Sequence, residues 1–217
     1  MITPPSTPPP TASTSVLPAA VQGRPLVVVD VEGNGGQPPR IVEIAVLPVD
    51  DRPVTGRDLR TWLVRPAEPI TVHARRVHGI ADEDVEGRPL WHGVAGEVAP
   101  LLEGRTLLAH NATTEYRVLG AHLPRWRPPM VLDTLRLARH VWPGLPGYGL
   151  DTLVAHAVLD TADVAGRRPH RAGYDTWCVW QLFRALLADS GLDWHSLVRA
   201  AALKDFLPAD EPEEGLW

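Results

Sequence analysis

Leu26-Val27-Val28-Val29-Asp30-Val31-Glu32-Gly33 is an apolar, β-branched run that meets two carboxylates and then the loop Asn34-Gly35-Gly36-Gln37-Pro38-Pro39. β-Branched side chains pack well on a pleated surface, and the glycines and prolines that follow stop it, so the run reads as a buried strand ending in a loop. Residues i and i+2 of a strand share a face, which projects Asp30 and Glu32 the same way at the end of a strand otherwise built for a core. Two buried like charges repel unless a cation sits between them. An isolated Asp-x-Glu also fits two carboxylates that simply reach solvent at the strand end, so the motif needs partners elsewhere in the chain.

Two further segments supply candidates. Thr106-Leu107-Leu108-Ala109 is a short apolar strand, followed by the polar turn His110-Asn111-Ala112 and a helix from about Thr113 to Ala121 that carries Glu115 in its first turns. The helix dipole favours a carboxylate there in any protein, so Glu115 reads equally as helix-start chemistry or as part of a site. His170-Arg171-Ala172-Gly173-Tyr174-Asp175 enters a strongly apolar helix with Val179, Trp180, Phe183 and Leu187 at helical spacing. Asp175 falls in the first turns of that helix. A five-residue offset within one helix points two side chains to different faces, so His170 joins Asp175 only if it belongs to the preceding loop.

Taken together and in this order, the segments resemble the DEDDh 3′-to-5′ exonucleases, the family of the epsilon proofreading subunit of bacterial DNA polymerase III, ribonuclease T and oligoribonuclease. The resemblance spans most of residues 24–190. It includes Ile41-Val42-Glu43-Ile44-Ala45, Val77-His78-Gly79-Ile80, Ala109-His110-Asn111-Ala112, Leu132-Asp133-Thr134-Leu135 and Tyr148-Gly149-Leu150. A histidine five places before the last aspartate indicates the histidine branch; the tyrosine branch has Tyr four places before it, where Arg171 stands. The resemblance implies a ribonuclease H-like fold and a magnesium or manganese site held by Asp30, Glu32, Glu115 and Asp175. In that picture Asp30 touches both of two ions, Glu32 and Asp175 help hold one, Glu115 supports the other, and His170 is the general base. Gly33, His78, Asn111 and Arg171 are the expected substrate-binding residues. The chemistry is sound on general grounds, because two cations about 4 Å apart neutralise a phosphodiester, orient a water and stabilise the leaving oxygen. Hard oxygen ligands select magnesium or manganese over zinc.

The chain departs from the family where the terminal nucleotide and one ion bind. Glu115 stands where aspartate is usual, which extends the carboxylate by roughly 1.5 Å. Thr114 replaces the usual aromatic, and Gly33 with Asn34 replaces the usual threonine pair. The expected activity is removal of nucleotides from the 3′ end of single-stranded or frayed DNA, with RNA the second choice. The competing class is a catalytically impaired module of the same fold that holds nucleic acid or a DNA polymerase or other replication or repair protein. A metal-dependent phosphodiesterase acting on small nucleotides is a third.

Composition fits one domain: 217 residues, 44% hydrophobic and 22% charged, bury a substantial core. Residues 1–22 hold six prolines and no charge, which reads as a disordered tail, leaving an exonuclease domain over 24–207. Residues 208–217 carry four acids and no base and read as a solvated acidic tail, with Leu216-Trp217 as an anchor for a partner. A net charge of −5 weighs against a sequence-independent nucleic-acid binder, but without those four acids it is −1. Arginines gather at Arg75-Arg76, at Arg125 with Arg127, and at Arg167-Arg168 with Arg171 beside His170, and arginine forks suit phosphate. The single cysteine, Cys178, forms no internal disulfide and reads as a packed free thiol. No apolar run approaches the ~20 residues that span a bilayer, so a cytoplasmic protein with no membrane partner is expected. No glycine-rich loop with its lysine marks a nucleotide triphosphate site.

The pattern predicts strands over 26–32, 41–47, 60–64, 106–109 and 131–132. Helices are predicted over 90–102, 113–121, 134–140, 149–158 and 172–188. Three early strands followed by alternating helices predict a mixed five-stranded α/β sheet flanked by helices. Trp62, Trp91, Trp177 and Trp180 are expected in core or flank packing.

Overall fold

A computed structural model describes residues 17–208. Strands β1 (Leu26–Gly33), β2 (Ile41–Val49), β3 (Arg60–Leu63), β4 (Thr106–Ala109) and β5 (Val131–Asp133) form one sheet in the order β3-β2-β1-β4-β5. β1, β2 and β3 pair antiparallel, while β4 runs parallel to β1 and β5 parallel to β4. Parallel neighbours need crossovers, and helices supply them. After β3 come α1 (Val72–His78), α2 (Asp82–Val85) and α3 (Trp91–Leu102); α4 (Thr113–His122) joins β4 to β5; α5 (Thr134–Val141), α6 (Leu150–His156), α7 (Ala172–Ser190) and α8 (Trp194–Ala201) complete the chain.

The two faces of β1 divide the core. Leu26 and Val28 pack with Trp177, Val179, Trp180 and Phe183 of α7, and Val27 and Val29 pack with α3 and α4 through Val94, Val98 and Leu119. Period-two alternation therefore sends the next even residues, Asp30 and Glu32, toward α7. β1, β4 and β5 all end on the same edge of the sheet, where loops are free to carry side chains into a shared crevice. That edge is where every candidate site residue lies.

All five predicted strands and five predicted helices are present, with ends shifted by at most two residues. The sequence reading missed α1, α2 and α8. α1 and α2 are short and lack an apolar period, and their ends are set instead by single capping residues: the Thr71 hydroxyl accepts from Ala74 N at 3.2 Å and Gly79 closes α1 at φ 73°. The tail boundary at residue 22 also moves. Leu17 and Val21 are buried, and Val21 sits at the start of a core cluster beneath β1, so 17–22 belongs to the domain. The rest of that expected tail, and 209–217, lie outside the described residues. Trp177 and Trp180 are core residues, and Trp62 and Trp91 flank the second cluster as expected.

Candidate active site

Asp30, Glu32 and Asp175 each bring a carboxylate oxygen to within 4.8 Å of the other two. β1 delivers the first two and the first turns of α7 the third. His170 precedes α7 in a loop, as its offset required, with φ 58°, a left-handed conformation uncommon outside glycine though more accessible to histidine than to most residues. Half exposed, its Nε2 lies 3.4 Å from Asp151 Oδ2 at the start of α6. Glu115 sits in the first turn of α4 and is buried, with Oε2 lacking a hydrogen-bond partner among the described residues. Its carboxylate lies near enough to Asp30 to disfavour ionisation there.

The electrostatics follow from crowding acids in a poorly solvated crevice. Burial first, then the charges of Glu115, Asp175 and Glu32, holds the Asp30 carboxyl well above the ordinary range. Burial and then Asp175 and Glu43 push Glu32 up to about 7 against the partial relief of His170 and Arg171. Burial, then Asp151, pushes Asp175 to about 7. Burial, with Asp133 and Glu32 adding, pushes Glu115 to about 8. Three of these acids, Asp30, Glu32 and Asp175, form an all-oxygen donor set that a hard divalent cation fits, while Glu115, with its orphaned buried oxygen, lies outside that converging group but close enough to feel its charge.

The expected substrate-binding residues divide. Gly33 ends β1, and Asn111 has φ 60° in the exposed turn after β4; its N–H donates to Asp133 Oδ1 at 2.9 Å and its side-chain amide to Thr114 Oγ1 at 3.4 Å. His78 is buried, and both its ring nitrogens are engaged by backbone: Nδ1 accepts from Ile80 N at 3.0 Å, which leaves Nε2 protonated to donate to Gly33 O at 3.3 Å. Its ring is spent on bracing the end of β1, which departs from the expectation of a substrate contact. Arg171 spends its fork on Glu43, and this too departs from the expectation of a phosphate contact. The loop beside Gly33 is braced by Asn34, whose Oδ1 accepts from Gly36 N at 3.0 Å and Arg40 N at 2.8 Å. Gly35, at φ 79°, packs so close to α1 that a Cβ there would overlap the Thr71 hydroxyl.

Three residues at this edge were given no role by the sequence, although Glu43 and Asp133 lie in stretches that carry the resemblance. Glu43 on β2 faces Glu32 across the sheet and anchors Arg171. Asp133 ties the turn after β4 to the start of α5 by accepting from Asn111 N at 2.9 Å and Leu135 N at 2.8 Å. Asp151 faces His170. The available signal for Glu43 was a lone acid at a core position of the apolar run Ile41–Val49; for Asp151 it was no more than an acid in a helix's first turn.

A mixed sheet with two carboxylates at the end of β1, and a third brought to them by α7, suits a divalent-metal-dependent hydrolase of phosphodiesters. Residues 27–183 match the exonuclease family model. The chain is 27% identical over 171 residues to DNA polymerase III subunit epsilon of Rickettsia typhi, covering 74% of this chain and 72% of that one. It is 32% identical over 167 residues to exodeoxyribonuclease 10 of Escherichia coli K12, covering 76% and 70%. Among solved structures, exonuclease X in complex with 5′ overhanging duplex DNA aligns with a TM-score of 0.67 at 29% identity, covering 81% of this chain and 98% of that one. The nuclease domain of 3′hExo, a DEDDh family member bound to rAMP, shares the fold with a TM-score of 0.60 at 16% identity, covering 76% and 92%. The chain belongs to the exonuclease family and is a 3′-to-5′ exonuclease of the DEDDh type, a divalent-metal-dependent class. Among the described residues no helix is long and apolar enough to cross a membrane.

Proposed function

We propose that this exonuclease removes nucleotides from the 3′ end of a single-stranded or frayed DNA strand by a two-metal mechanism, with magnesium or manganese as the ion and His170 as general base. The observation that carries this reading is the convergence of Asp30, Glu32 and Asp175 oxygens within 4.8 Å, with the unpartnered Glu115 oxygen close by. Those four residues would hold the ions, which when bound supply positive charge against the phosphodiester. His170, half exposed at the mouth of the crevice, takes the proton of the attacking water, and Asp151 opposite Nε2 orients the ring. Gly33 and the turn at Asn111 flank the acids from β1 and β4 and form the floor for the terminal nucleotide. The left-handed turn at Asn111 is held by Asp133, so this floor is fixed before substrate arrives.

DNA is favoured over RNA because the exonuclease X structure, at 29% identity, is described with duplex DNA carrying a 5′ overhang. The name of the Rickettsia relative supports a DNA polymerase, or another replication or repair protein, as partner. The test is degradation of a 5′-labelled single-stranded DNA and its RNA counterpart with magnesium, manganese or chelator, by wild type, Asp175→Ala and Glu115→Asp. A ladder shortening from the 3′ end, lost with chelator and with Asp175→Ala, is the expected result. A wild type that binds both strands but cuts neither, while Glu115→Asp cuts, would replace this reading with a binding module impaired at that one position.

A further inference from the structure

A cleft of about 500 Å³ opens at the edge of the sheet opposite the acids, where α3 and α4 end and β4 and β5 begin. Its walls are apolar at Ala99, Leu123, Pro124 and Trp126 and basic at Arg125 and Arg127, with Glu103 the acid among its lining residues. Arg125 is exposed and makes no ion pair among the described residues. Arg127 Nη1 donates to Pro124 O at 3.0 Å and Trp126 O at 2.7 Å, which holds its guanidinium at the rim with donors to spare. An apolar slot rimmed by arginine and floored by tryptophan suits a peptide with acids beside a large apolar side chain.

The chain carries such a peptide. Asp210-Glu211-Pro212-Glu213-Glu214-Gly215-Leu216-Trp217 combines four acids, no base and an adjacent leucine and tryptophan. The described chain also leaves the domain beside this cleft. Phe206 packs edge-on against Tyr116 with ring centres 5.5 Å apart, and Tyr116 lies 6.0 Å from Trp126, whose buried ring lines the slot. From Pro208 a further nine residues reach about 30 Å when extended, well beyond those two ring-to-ring steps. A segment tethered this close acts at a millimolar-range effective concentration, so weak contacts suffice.

From the charge complementarity, the slot and the exit point of the chain, we propose that residues 209–217 dock in cis in the cleft between the ends of α3 and α4, acids on Arg125 and Arg127 and Leu216-Trp217 against Trp126. The site lies at the far end of β4 and β5 from the carboxylates and does not depend on the reading of the active site. It gives the acidic segment an occupied position that a partner must displace before it can take either surface.

The test attaches a nitroxide to Gly215→Cys in the full chain, with native Cys178 buried and unlabelled. Amide resonances of 122–127 are expected to lose most of their intensity in the labelled protein and to recover when the label is reduced. Arg125→Glu should restore them, and so should neutralising the segment with Asp210→Asn, Glu211→Gln, Glu213→Gln and Glu214→Gln, a variant that alters no described residue. Unchanged resonances at 122–127 would overturn the proposal, as would broadening that survives both variants. Equal broadening in isotope-labelled, nitroxide-free chains when they are mixed with spin-labelled chains of natural isotope abundance would overturn it in favour of a second copy's segment.

Discussion

Arg171 grips Glu43 across 128 positions of the chain, Nε donating to Oε2 at 2.8 Å and Nη2 to Oε1 at 2.7 Å, while Ala172 N donates to the same Oε2 at 3.0 Å. One carboxylate on β2 thus fixes the residue after His170 and the first turn of α7, which four residues later presents Asp175. Glu43 also stands directly opposite Glu32 on β1. The pair therefore holds three of the candidate site residues in one frame.

Glu43→Ala should destabilise the protein by about 2–3 kcal/mol, below the usual cost of breaking a buried pair because Arg171 stays partly exposed and can hydrate. Exonuclease turnover should fall more than binding of the strand, since the change loosens His170 and Asp175. Glu43→Gln keeps the shape and one acceptor for Ala172 N, and should recover most of the stability. Denaturant midpoints with kcat and KM for the three proteins check this; equal losses of stability and no loss of kcat would mean that the clamp serves the fold alone.

The metal-free protein should lose stability as pH rises. Glu32 and Asp175 titrate at about 7 and Glu115 at about 8 in the fold, and their unfolded values lie near 4. Below about pH 4 both states hold the protons and the acids cost nothing; as pH climbs to 8 the folded state must either keep protons that the unfolded chain gives up or ionise a crowded site, so stability drops. Magnesium or manganese should restore it, and more at pH 8 than at pH 5. Thermal melts in chelator and in excess metal at the two pH values test the sign, and Asp30→Asn should melt higher than wild type in chelator while gaining little from metal.

Much of the site was readable because its acids sit in strong local settings. Asp30 and Glu32 interrupt an unmistakable buried strand, and Asp175 and Glu115 fall in the first turns of helices marked by apolar spacing. The fold followed from the same runs, since strands and helices long enough to show a period declare themselves. What escaped was tertiary. Nothing local tells that Arg171 will meet an acid 128 positions earlier, or that His78 will be spent on Gly33 and Ile80. α1 and α2 escaped because neither carries an apolar period: α1 buries only Ala74 and His78, and α2 only Val85. Leu17 and Val21 were hidden by a proline-rich setting that outweighed two apolar residues in the reading.

Cys178 should resist thiol reagents in the folded protein. It is buried on α7, and burial, outweighing a hydrogen bond from Tyr174, pushes its thiol up to about 12. Modification with a disulfide-exchange reagent at about pH 8 should be slow until denaturant is added, then stoichiometric. Fast reaction of the native protein would mean that α7 opens locally, and would place Asp175 on a mobile helix.

Glu115→Gln separates the two roles open to this carboxylate. As helix-start chemistry alone, the exchange keeps the size and costs a few tenths of a kcal/mol through the dipole. As a ligand, it removes the charge that gives the orphaned Oε2 a purpose, and activity should fall about 10- to 100-fold, the loss typical of perturbing a metal site's supporting residues. In chelator the same variant should be more stable than wild type, because a neutral amide relieves both the desolvated charge and its repulsion of Asp30. Lower activity together with a higher metal-free melting temperature would mark Glu115 as a ligand held at a cost to the fold. Unchanged activity would assign it to the helix and leave the ions to Asp30, Glu32 and Asp175.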